Sequence, residues 1–130
     1  MIDTNILISA ILFPNSRAAD ALIKAMSVPY QPVVCDYILN ELCCKFQEKF
    51  PEHLNELEQF IYAIVRSFEI VGIPDKPIAE EYTIRDPKDR PILRAAINEG
   101  VDLFLTGDKD FLESPIKDPK IIDIKTFMEM

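Results

Sequence analysis

Short apolar runs alternate with segments of helical periodicity along these 130 residues, and that alternation restricts the fold more than any single motif does. The apolar runs are residues 1–3, Val33-Val34-Cys35, Phe68 to Ile73, residues 101–106 and Ile121 to Ile124. The first is so short that it fits a chain with a few further residues before Met1. A helix capped by Thr4 or Asn5 follows it through Leu12, with Ile6, Leu7, Ala10 and Ile11 on one face. Phe13-Pro14-Asn15 ends that helix, and Ser16 caps a second one to about Met26. Asp36 caps a third to about Phe50, with Leu39, Leu42 and Phe46 directed to the core. Residues 52–67 carry an apolar stripe of Leu54, Leu57, Phe60, Ile61, Ile64 and Val65. The next helix holds Ile92, Leu93, Ala96 and Ile97, admits Pro91 in its first turn and stops at Gly100. A short helix over about 109–114 and a last one capped by Thr126 complete the series. Strands that alternate with helices imply an α/β fold with a parallel sheet and right-handed crossovers, and the length fits one domain over residues 1–130.

Acidic residues fall where such a fold would gather them. Asp3 ends the first apolar run, Asp108 follows the fourth, and Glu41 and Asp89 lie in the opening turns of two helices. Ligands of open α/β sheets bind outside the carboxyl ends of the strands. For Asp3 and Asp108 to meet there, the first and fourth strands must be neighbours. That gives a Rossmann-like α/β/α sandwich with a five-stranded parallel sheet of order 3-2-1-4-5. Carboxylates held together repel one another unless a divalent cation joins them. Oxygen-only ligands suit Mg²⁺ or Mn²⁺, and such a centre favours phosphodiester hydrolysis by an activated water. Each acid also has an ordinary reading. Asp3 and Asp108 suit helix caps, Glu41 has Lys45 as its i+4 partner, Asp86 competes with Asp89 for one place, and Asp110 suits a solvated surface position. It is their common edge, with Thr4, Asn5 and Thr106 as small polar supports, that singles them out.

Composition narrows the chemistry further. Three cysteines, Cys35, Cys43 and Cys44, make a poor disulfide framework and a poor zinc motif, and read as reduced, mostly buried thiols of a cytoplasmic protein. His53 is the single histidine and sits among charged residues, which argues against histidine-dependent triads. No apolar run approaches the roughly 18 residues of a membrane span, and no basic start leads an apolar signal region. The formal charge of −8 opposes simple nucleic-acid binding. Bound divalent ions would offset part of it, and Arg85, Arg90 and Lys109 stand near enough in sequence to flank the acids as weak substrate-binding candidates.

Four blocks resemble the PIN-domain family, and within it the branch of VapC-like toxin components of toxin–antitoxin systems. They are Ile2-Asp3-Thr4-Asn5-Ile6-Leu7-Ile8-Ser9; Ile38-Leu39-Asn40-Glu41-Leu42; Arg85-Asp86-Pro87-Lys88-Asp89 with Ile92-Leu93-Arg94-Ala95-Ala96; and Leu105-Thr106-Gly107-Asp108-Lys109-Asp110-Phe111. The resemblance implies a PIN-like fold and a Mg²⁺- or Mn²⁺-dependent endoribonuclease. It implies one or two ions held by Asp3, Glu41, Asp89 and Asp108, with Asp110 as an auxiliary acid and Asn5 and Thr106 in support. It also implies an RNA substrate and a cognate antitoxin. A homodimer through the helices at 16–26 and 52–67 is a further expectation. Pro91, in the first turn after Asp89, departs from the family pattern, and Asp86 offers a second candidate for the role of Asp89.

Three rival classes fit less well. A catalytically silent RNA-binding or complex-forming module has no need of converging carboxylates. A haloacid-dehalogenase-like phosphatase needs an acid at position 5, where this chain has Asn5, and a receiver needs an acid after the third strand, where it has Gly72-Ile73-Pro74. A DNA nuclease with the same metals is the nearest alternative.

Overall fold

The computed structural model describes residues 1–130. Helix α1 spans Thr4–Leu12 and α2 spans Arg17–Ala25; strand β1 is Val33–Cys35, followed directly by α3, Asp36–Lys49. A 3₁₀ turn at Pro51–His53 leads into α4, Leu54–Ser67, and then to β2, Glu69–Val71. A loop with a 3₁₀ turn at Ala79–Thr83 reaches α5, Arg90–Glu99. The chain closes with β3, Leu103–Leu105; α6, Lys109–Leu112; β4, Lys120–Ile122; and α7, Ile124–Met128.

The sheet is parallel, as βα alternation requires, but it is built from short pieces. β1 pairs with β2 in the register Val34↔Ile70, and β3 pairs with β4 in the register Phe104↔Ile121. The expected five-stranded sheet is not seen as one continuous set: residues 1–3 contribute an isolated parallel bridge, Ile2↔Leu105, rather than a regular strand. They nonetheless bond to both pairs. The Ile2 N–H donates to Val33 O at 3.3 Å, the Asp3 N–H donates to Leu105 O at 2.9 Å, and Leu105 returns a bond to Met1 O at 2.8 Å. β1 and β4 stop early because helix-starting residues follow at once, Asp36 after Cys35 and Asp123 after Ile122.

The helices obey their sequence signals with small shifts of cap. Asp3, not Thr4 or Asn5, caps α1; Cys35 precedes α3, so Asp36 is its first residue; and Asp123, not Thr126, caps α7 by accepting from the Thr126 N–H at 2.8 Å. Ser16 caps α2 through the Ala19 N–H, and Gly100 ends α5 at φ 68°, where a side chain would be strained. α1 packs against α2, α3 and α4, and α3 packs against α5. Ile6, Leu7, Val34, Ile38, Leu42, Phe46, Ile92, Leu93, Phe104 and Phe111 fill the core between them. The expected stripe on α4 is only half inside: Leu57 and Ile64 are buried, whereas Leu54 and Val65 are 40% and 63% exposed. Cys44 is likewise exposed, against the expectation of mostly buried thiols. No single helix is long and apolar enough to cross a membrane.

One buried ion pair ties the long loop before α5 to that helix. The Glu81 carboxylate accepts from Arg94 at 3.0 and 2.8 Å and from the Ile78 N–H at 2.6 Å, while Arg94 also donates to Pro74 O at 2.9 Å. Glu81 is only 1% exposed. The guanidinium holds the Glu81 carboxyl below its ordinary range. Arg94→Met should leave that carboxylate buried and unpaired and cost about 3 kcal/mol of stability. Because the Glu81 pKa is depressed, the pair's contribution is present above the ordinary 4.5 and fades as pH falls below it. Urea unfolding at neutral and acid pH checks both points; a wild-type midpoint for the variant at neutral pH would refute them.

Candidate metal centre

The centre starts from Asp3. This residue ends the run that bonds to Leu105 and begins α1, so its side chain stands at the carboxyl edge of the sheet. Its carboxylate is 6% exposed and has both oxygens engaged: one accepts from the Thr4 N–H at 2.8 Å, the other from the Thr106 hydroxyl at 2.8 Å. Burial raises its pKa, the two hydrogen bonds partly restore the charged form, and the charges of Glu41 and Asp108 raise the pKa again.

Thr106, fully buried at the end of β3, passes the connection on. Its hydroxyl donates to Asp3 and accepts from the Asp108 N–H at 3.0 Å. Asp108 in turn caps α6, accepting from the Asp110 N–H at 2.9 Å. One backbone turn thereby aims both Asp108 and Asp110 at the same edge. Asp89, the residue before α5, comes from the other side; its carboxylate makes no capping bond and is left free. One oxygen each of Asp89, Asp108 and Asp110 lies within 4.8 Å of the others. Glu41 approaches through the Thr4 hydroxyl, which donates to Oε1.

The six sequence-derived acids therefore take different places. Asp89, Asp108 and Asp110 converge directly; Asp3 and Glu41 join through hydroxyl groups and charge; Asp86 instead accepts from the Lys88 N–H at 3.0 Å, as a local turn residue. Asn5 is exposed on α1, and Lys109 is exposed beside Asp108. Arg85, 86% exposed, pairs with Asp110 at 3.0 Å, a contact worth at most about 1 kcal/mol in water. Arg90 is turned toward structure: its Nε donates to Ile84 O at 3.0 Å and its guanidinium lies 5.2 Å from the Tyr82 ring centre.

The donor set fits a hard divalent cation, since it is all carboxylate oxygen. The buried Cys35 does not compete for the role of nucleophile, since burial pushes its thiol up to about 11. A cavity lined by Met1, Pro32, Val33, Val101 and Leu103 contains none of these acids. Two features of the site escape sequence reading. Tyr37 donates to Lys88 O at 2.8 Å, and Thr4 bonds Glu41. The signal for Tyr37 was its place four residues before Glu41, on the same face of α3.

Asp89 is half-buried among like charges. Burial first, then the charges of Asp108 and Asp3, push its carboxyl up from 3.8 to about 7. Folded, it takes up a proton near pH 7; unfolded, near 3.8. Between these values the folded chain holds the extra proton, so stability falls as pH rises through that window. In chelator, wild-type protein should lose more stability between pH 5 and pH 7 than Asp89→Asn does. Equal slopes in urea unfolding would remove this account.

Comparison with known proteins follows the same lines. A family model described as PIN domain matches residues 1–110. No curated protein matches the chain. Among solved structures it is similar to a crystal structure of VapBC2 from Rickettsia felis bound to a DNA fragment from their promoter, with 19% identity, a TM-score of 0.70, and coverage of 95% of this chain and 96% of that one. At that identity the likeness is one of fold. The family match spans most of the sequence, and the chain belongs to the PIN-domain family.

Proposed function

We propose that this chain is a Mg²⁺- or Mn²⁺-dependent endoribonuclease acting in the cytoplasm as the toxin of a toxin–antitoxin pair. The observation that carries the nuclease reading is the convergence of Asp89, Asp108 and Asp110 beside the buried Asp3 in a PIN-domain chain. Asp3, Glu41, Asp89 and Asp108 form the proposed acidic quartet, with Asp110 as a fifth acid and Thr106 and Asn5 in support. Residues 1–3 are read as the central strand of a sheet of order 3-2-1-4-5, within a single domain over 1–130. The toxin reading rests on the resemblance to VapC-like chains and on a fold shared with a VapBC2 complex, which also supports an antitoxin partner. The expected homodimer rests on the exposed Ile23 of α2 and Tyr62 and Val65 of α4.

A bound divalent ion would supply an acidified water and neutralise charge on the phosphodiester. The chain's own residues prepare the place. Thr106 and the Thr4 N–H keep the Asp3 carboxylate oriented and favour its ionised form. The free carboxylate of Asp89 lies close to Asp108, and a bound cation would offset both the burial and the like charges that raise its pKa. Arg85, exposed and already paired with Asp110, can turn to a substrate phosphate at little cost, and Lys109 stands beside it.

Purified protein incubated with defined RNAs should cleave them with Mn²⁺ and not with chelator. Asp3→Asn and Asp108→Asn should each lower the rate at least about 100-fold. Intact cleavage by Asp3→Asn would refute the mechanism. Single-stranded DNA of matched sequence separates the ribonuclease reading from a DNA nuclease, and absence of both Mn²⁺ binding and cleavage would instead favour a silent binding module.

A further inference from the structure

We infer that Tyr37 is a positioning residue that fixes the Asp89 carboxylate from the helix that carries Glu41. The inference deepens the metal reading above and rests on it for its functional half.

Asp89 is the one acid of the converging trio with no side-chain or capping bond of its own to orient it. Asp108 is a helix cap, and Asp110 is paired with Arg85. The direction of Asp89 therefore depends on its backbone, at φ −91° and ψ −14°. The peptide that joins Lys88 to Asp89 is gripped on both sides. Its carbonyl accepts from the Tyr37 hydroxyl at 2.8 Å, and its N–H donates to Asp86 O at 3.0 Å. The peptide before it is held as well, because the Lys88 N–H donates to the Asp86 carboxylate at 3.0 Å. Of these bonds only the one from Tyr37 comes from outside the turn. The helix that follows adds its own, since Pro87 O and Asp89 O accept from the Arg90 and Ile92 N–H groups of α5 at 3.4 and 3.2 Å, so Tyr37 is the tie to an element distant in sequence.

That element is α3, and the attachment point matters. Tyr37 and Glu41 are one helical turn apart, so the same rigid segment that presents Glu41 also holds the Asp89 turn. Like charges push Asp89 away from Asp108, Asp3 and Glu41, and the turn needs a restraint to stay against them. A phenol suits the task. It is long enough to cross from α3, it adds no charge to an acidic edge, and its hydroxyl can donate to a carbonyl.

Tyr37→Phe deletes the hydroxyl and leaves the ring, so the fold should survive. Two measurements test it: hydrogen exchange of the Asp89 amide in chelator, and the Kd for Mn²⁺ alone. Exchange at Asp89 should accelerate about tenfold while the amide of buried Ile64 keeps its rate. Mn²⁺ should bind about tenfold more weakly, with cleavage largely recovered at saturating Mn²⁺. Tyr62→Phe, on the exposed face of α4, should do neither. Unchanged exchange at Asp89 overturns the inference outright. Faster exchange with an unchanged Mn²⁺ Kd overturns the positioning role. Wild-type protein that binds no Mn²⁺ sinks the metal reading instead, and the exchange result then decides alone whether Tyr37 holds Asp89.

Discussion

The buried carboxylate of Asp3 is the point on which the rest of this molecule turns. A carboxylate taken from water costs several kcal/mol unless its oxygens find donors. Here one oxygen finds the first N–H of α1 and the other the hydroxyl of Thr106. These bonds need the strand segment 1–3 and β3 side by side, which the bonds from the Asp3 N–H to Leu105 O and from the Leu105 N–H to Met1 O secure. Satisfying one acid thus fixes the end of β3. From there Thr106 orients Asp108, and Asp108 orients Asp110.

The remaining acids are brought in against their own repulsion. Asp89 arrives on a turn held by Tyr37, by its own internal bonds and by the staple of α5 to the preceding loop. That staple uses a buried Glu81–Arg94 pair where an apolar contact would have served stability as well. An ion pair with a forked guanidinium has one geometry, and this one also captures the carbonyl of Pro74 and the N–H of Ile78. It fixes where the loop ends. Stability spent on holding like charges together is expected where charge is to be neutralised by something else, and an all-oxygen donor set names a hard cation as that partner.

Family membership and site chemistry support one another without being the same argument. The PIN-domain match and the shared fold with VapBC2 locate the chain among known architectures. A fold alone does not assign an activity. The nuclease reading draws on the carboxylates, and the toxin reading on the family branch that the four blocks resemble.

Most elements and most acids were legible in the sequence. Periodicity placed all seven helices within a few residues, because most begin at a capping residue or proline and the longer ones carry an apolar face. What the sequence could not place depends on contacts between distant residues. The caps shifted by one to three residues because Asp3, Cys35 and Asp123 end strand-like segments, where extended backbone leaves them ready to cap. Val65 and Leu54 proved exposed because α4 buries only one edge of its stripe. Asp86 and Asp89 are equivalent as letters three apart; only the turn geometry spends Asp86 on the Lys88 N–H and frees Asp89. The sequence by itself determined the α/β class and the acids that border the sheet, since both follow from local pattern. Tertiary structure decided which acids converge and which are held through Thr4, Thr106 and Tyr37, because hydrogen-bond reach is set by distances between elements that no spacing along the chain encodes.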